Sequence, residues 1–147
     1  MSRFVALALL MPLLSGCSYV YDVGVKVIAG QVTFDANPQW GADCIREVTV
    51  EADSGEVVWQ QSISHEDACA NTFPITYGVP LEGERLIYPS NTSLPEDVRG
   101  QPAKSVAPKS LQPDTTYWVR TTTGSTGYGC GRFRVLEDQA VESLRCN

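Results

Sequence analysis

The chain has 147 residues, with 11 Lys and Arg against 17 Asp and Glu and a formal net charge of −6. That length suits one domain with a real buried core. The acidity, without any basic cluster, excludes the Lys- and Arg-based phosphate contacts of a nucleic-acid binder and electrostatic adhesion to an anionic bilayer.

Arg3 opens a short basic start, an apolar run follows from Phe4 to Leu14, and small residues come next. This order marks an export signal. The run is too short for a transmembrane helix, which needs about 20 apolar residues. Leu14-Ser15-Gly16-Cys17 resembles the lipobox of bacterial lipoproteins at every position. The resemblance implies that residues 1–16 are removed and that Cys17 becomes the first residue, carrying a diacylglyceryl group. In that family an Asp at the next position often signals inner-membrane retention, so Ser18 implies the periplasmic face of the outer membrane. A single acyl chain anchors a protein marginally and two anchor it stably. The membrane, through lipid on Cys17, is therefore an expected partner of residues 17–147.

Strand-like sequence begins almost at once, with Val20, Val23, Val25, Val27 and Ile28, then Val32 and Phe34. The domain is thus expected to sit close to its membrane. Asn37-Pro38 with Gly41 reads as a turn. From Cys44 to Ala52, Val48, Val50 and Ala52 alternate with Glu47, Thr49 and Glu51, the period of a half-buried strand. Asp53-Ser54-Gly55-Glu56 is a turn, and Val57–Ile63 returns as a second strand of a hairpin. Trp59 is the expected core anchor.

Ser64–Asn71 is polar and holds the single His. Phe73–Tyr77 and Arg85–Tyr88 read as short strands. Pro89, Pro95, Pro102, Pro108 and Pro113 deny the next stretch a central place in a sheet, so 89–113 reads as a long surface loop. Asp114–Thr123 is β-branched and aromatic. The run Gly124–Gly131 lacks the Lys of a phosphate loop and reads as a hairpin turn. Cys130–Leu136 alternates Gly131, Phe133 and Val135 against Cys130, Arg132 and Arg134, and Ala140–Cys146 is a last strand or a short helix.

With Cys17 carrying lipid, Cys44, Cys69, Cys130 and Cys146 remain, an even number that implies two disulfides in an exported domain. Three pairings are open. Proximity favours Cys44–Cys69 with Cys130–Cys146, each closing a loop worth about 3 kcal/mol. A metal site is not expected, since no pair has C-x2-C spacing and one His is too few for the usual zinc sets. No cofactor is implied.

Leu111-Gln112-Pro113-Asp114-Thr115-Thr116-Tyr117-Trp118-Val119 resembles the L-x-P-x-T-x-Y-x-V motif before the last strand of fibronectin type III domains. The resemblance implies an all-β chain folded as one immunoglobulin/fibronectin-III-like antiparallel β-sandwich. The 44–63 hairpin would lie at its centre, Phe133 and Val135 would supply the last strand, and the Tyr117 hydroxyl would be bonded to backbone at a tyrosine corner. The long Pro-rich insert and the disulfides depart from that family.

Catalytic signals are sparse. His65 stands beside Glu66 and Asp67, without the helical spacing of a zinc site or a nucleophile elbow for a triad. Glu47, Glu51, Asp53 and Glu56 lie on the wet side of the hairpin, with no sign of the cleft a glycosidase pair needs. Trp118 with Arg120 is the candidate partner-binding patch, unless Trp118 packs under the Pro-rich loop. The chain is therefore read as a non-enzymatic envelope module with a protein partner, which it would engage through Trp118, Arg120 and the 89–113 loop by edge-strand pairing. The alternatives are an inhibitor or accessory subunit of a cell-wall hydrolase, inserting Gly127–Gly131, and a hydrolase using His65.

Overall fold

The computed structural model describes residues 18–36, 44–66, 68–124 and 126–146, so Cys17, the Asn37–Gly41 turn and Asp67 lie outside it. It is all-β, with eight strands: β1 (Tyr19–Ile28), β2 (Gln31–Ala36), β3 (Glu47–Ala52), β4 (Val57–Ser62), β5 (Ile75–Thr76), β6 (Thr116–Thr122), β7 (Gly127–Val135) and β8 (Val141–Leu144). The segment Arg85–Tyr88 makes isolated bridges only.

The expected hairpin forms as read. Val48, Val50 and Ala52 are buried, and Glu47, Thr49 and Glu51 are half-exposed. The register with β4 slips between Val50 and Glu51, a bulge that lets the neighbours Val58 and Trp59 both turn inward. A two-residue turn joins β1 to β2. Ala29 and Gly30 take φ of 49° and 77°, the double positive φ of a type I′ turn.

The strand order is β4-β3-β6-β7-β1-β2-β5, one mixed sheet curled into a half-barrel, with β8 added beside β7. This corrects the expected antiparallel sandwich. β1 is the cause. Its first half, Tyr19–Asp22, runs parallel to β7, and its second half, Val23–Ile28, pairs antiparallel with β2. One bent strand thus belongs to what would otherwise be two sheets. β8 takes over the edge of β7 where β1 leaves it, pairing Arg132–Val135 with Val141–Leu144. The 44–63 hairpin is correspondingly at one end of the path and not at its centre.

The bend is possible because β7 carries glycines at 127, 129 and 131. The expected turn therefore covers less of this run, which is a strand. Each glycine opens a groove for a side chain of β1. Tyr19 crosses Gly127 to reach the Thr123 hydroxyl at 3.1 Å, and Tyr21 crosses Gly129 to reach the Thr121 hydroxyl at 2.8 Å. A Cβ at Gly127 or Gly129 would stand 2.6 Å from Tyr19 Oη or 2.7 Å from Tyr21 Cζ.

The concave side holds the core. Trp59, Tyr117, Phe34 and Phe133 are fully buried. Tyr117 stacks on Phe133 at 5.4 Å, Phe133 meets Phe34 at 5.8 Å, and Trp59 meets Tyr77 edge-on at 5.4 Å. The corner tyrosine is present: the Gln112 backbone N–H donates to Tyr117 Oη at 2.9 Å. Tyr117→Phe should cost about 1 kcal/mol, because the corner loses this part-buried hydrogen bond. An unchanged unfolding midpoint would contradict this role.

The Pro-rich stretch does not float over the surface. It runs along the outer edge of β4, where Gln60 and Val106 exchange backbone hydrogen bonds of 3.0 and 2.9 Å and Lys109 N–H reaches Val58 O at 2.9 Å. An exposed edge is an invitation to aggregate, and this one is covered. Tyr77 pins the cover by donating to Lys109 O at 2.7 Å, with Val58 O at 3.2 Å. Burial pushes the Tyr77 hydroxyl up to about 12, and Tyr21 shifts the same way for the same reason. A tyrosine whose folded value lies above its unfolded value of about 10 favours the fold below pH 10 and stops doing so as pH rises through 12. The unfolding midpoint should therefore fall between pH 10 and 12, and by less in Tyr77→Phe, as followed by circular dichroism.

Both disulfides have the nearest-neighbour pairing, Cys44–Cys69 and Cys130–Cys146. The second joins the end of β8 to β7 at the residue opposite Asp22 of β1, where the two strands begin to part. The first ties the lead into β3 to the segment before β5.

Candidate contact face around Trp118

The convex face of β3, β6 and β7 is built from the residues that alternate with the core. Pairing sets Glu51, Trp118 and Arg132 in one row across the three strands, and Thr49, Arg120 and Cys130 in the row beside it. Trp118 is half-buried. Its Nε1–H donates to Asp53 Oδ1 at 2.7 Å, and the other oxygen of Asp53 accepts from Arg132 Nη2 at 3.1 Å. The Arg132 guanidinium lies 5.0 Å from the indole centroid and that of Arg120 5.9 Å from it. Arg120 in turn pairs with Glu51 at 3.1 Å, and Arg134 with Asp114 at 3.1 Å.

Exposed ion pairs of this kind contribute about 0–1 kcal/mol each to stability. Their effect here is on geometry. One carboxylate fixes the indole from its edge, and two guanidiniums hold it from neighbouring positions. The result is an aromatic side chain with little freedom to lose, ringed by charges that are already paired. Such a surface offers stacking, apolar contact and exchangeable hydrogen bonds to a partner.

The structure sets Trp118 and Arg120 on one face of β6, with Arg120, Arg132 and Asp53 around the indole. The Val106–Lys109 stretch of the Pro-rich loop lies along β4, two strands away from β6, and the loop's last residues run into the corner before β6. The β4 edge is thus not open to pair with another chain. Arg132 was not singled out from sequence, and Asp53 only as one of the hairpin's outward carboxylates. Arg132 was legible as an outward residue of its strand, but only the register shows that it meets Trp118.

The other candidates are dispersed. Gly127, Gly129 and Gly131 sit in a central strand, which removes them as an inserting loop. Glu51 and Asp53 are engaged as above, and Glu56 pairs with Lys109 at 2.7 Å. His65 borders a cleft of about 460 Å³ with Glu66, Glu84 and Tyr88. Arg85, also on its wall, is directed to the carbonyl of Ala103. Among the described residues no group of three His, Cys, Asp or Glu is placed to hold a metal ion.

Comparisons of the chain with protein-family models, with curated proteins and with solved structures gave no match.

Proposed function

We propose that the chain is a lipoprotein of the cell envelope, anchored by lipid on Cys17 to the periplasmic face of the outer membrane, and that it acts without catalysis as a binding or structural module. The observation that carries the binding role is the fixed Trp118, held by Asp53 and Arg132 on an otherwise paired surface. Aromatic and Arg side chains that are ordered before binding are the usual energetic centres of protein interfaces. The lipobox Leu14–Cys17 supports the anchor. The Leu111–Val119 motif and the Tyr117 corner support kinship with the fibronectin type III class, in a form where one bent strand has fused the two sheets.

A photo-crosslinker at Thr49, in the row beside Trp118 on the same face, used in intact envelopes, tests the binding role with Trp118 kept. A stoichiometric protein adduct is expected. Trp118→Ala should weaken its capture by the purified protein about 30-fold, the effect of a hot-spot residue of about 2 kcal/mol. Capture that survives Trp118→Ala and Arg132→Ala at full strength would overturn the contact face. Cys17→Ser should release the protein from the membrane fraction, and retention would overturn the anchor.

A further inference from the structure

We propose that the end of the domain bearing Val20 and Tyr128 rests directly on the bilayer, with these two side chains at the lipid interface. The proposal rests on acylation of Cys17 and deepens it by assigning the surface that meets the lipid. One residue, Ser18, separates Cys17 from the start of β1. A chain spans at most about 3.6 Å per residue, so the first residue of β1 lies within about 7 Å of the acylated one. A domain on so short a tether cannot stand off from the membrane, and this part of its surface is the part that must face it.

The residues placed there suit that position. Val20 is 76 % exposed and Tyr128 45 % exposed, and the two are direct register partners on the convex face of β1 and β7. They line an open hollow of about 420 Å³ whose wall also includes Thr122, Arg120 and, on its far side in β3, Glu47. An aliphatic side chain, a tyrosine with its polar tip and a long guanidinium side chain that can reach water are the residue types that settle at a membrane interface. Two side chains could not hold an acidic domain on a bilayer by themselves. They do not have to, because the lipid supplies the attraction and the tether makes their contact intramolecular. Arg132 lies four residues beyond Tyr128, about 13 Å further along β7, so Trp118, Asp53 and Arg132 lie beyond the contact and Arg120 stands between the two.

The test uses the full-length acylated protein, isotope-labelled, in phosphatidylethanolamine/phosphatidylglycerol nanodiscs with a nitroxide on the lipid headgroup. Mass analysis of the Cys17 peptide reports acylation separately. The expected result is acylated protein with amide broadening at Val20 and Tyr128 several-fold stronger than at Asp53 and Glu137. Val20→Asp with Tyr128→Asp should reduce that broadening several-fold while acylation and the unfolding midpoint are kept. Acylated protein with uniform broadening, or broadening centred elsewhere, would overturn the docking surface and leave the anchor standing. An unmodified Cys17 would overturn the anchor and the docking surface with it.

Discussion

Replacing Gly131 by alanine should destabilise the domain by about 3 kcal/mol, the upper part of the range for forcing atoms into a packed core. The added methyl would stand 2.7 Å from Val119 Cγ1 and press on the carbonyl oxygen of Val23. A flexible side-chain tip could withdraw from such a contact. The Val23 carbonyl cannot, because it belongs to β1 where that strand is held between β7 and β2. Gly24→Ala is the control. Its methyl would meet only Asp35 O, at an ordinary 3.7 Å, so this change should be neutral or stabilise by up to about 1 kcal/mol through the unfolded chain. Urea unfolding of the two variants measures the contrast. Equal midpoints would mean that β1 does not lie across the glycines of β7.

Loss of both disulfides should unfold the protein at 37 °C. The pairs close loops of 25 and 16 residues, worth about 3 kcal/mol each in the chain-entropy account. Their sum of about 6 kcal/mol equals the lower part of the 5–15 kcal/mol by which a domain is stable at all. Reductant, or serine at Cys44, Cys69, Cys130 and Cys146, should abolish near-ultraviolet dichroism and amide dispersion. Serine at one pair alone should leave a folded protein with a lowered midpoint. A fully reduced protein with native spectra would show that the core suffices without the bridges, and would weaken the case for an oxidising compartment.

What the sequence revealed was what depends on near neighbours. The alternation of Val48, Val50 and Ala52 is a local consequence of the pleat, and the Tyr117 corner is contained in a few residues around Pro113. Proximity along the chain also favoured the disulfide pairing that the structure has. The sheet order was hidden because it rests on a parallel register between segments at opposite ends of the sequence. The glycines of β7 misled for a related reason: glycine ordinarily marks a turn. Their spacing of two was the available sign that 127, 129 and 131 share one face of a strand, and its meaning appears only when Tyr19 and Tyr21 are seen to occupy it. In the candidate face, Trp118 and Arg120 lie two apart on one strand and could be paired on sight. Asp53 and Arg132 come from a turn and another strand, and only cross-strand registration brings them in.

The parallel pairing of β1 with β7 also fixes an order of events in time. β1 emerges early during synthesis, yet its partner residues in β7 lie more than a hundred positions later. The sheet cannot close until nearly the whole chain has been delivered. Pairings between such distant segments make folding slow, since the ends of a long loop must first be brought together. Through that interval Val23–Ile28 can pair with β2 across their short turn, while Tyr19 and Tyr21 lack the β7 glycines they cross in the finished fold. The opening residues of the first strand are thus among the last to be secured, and the waiting segment is exposed to wrong pairings that the finished fold no longer permits.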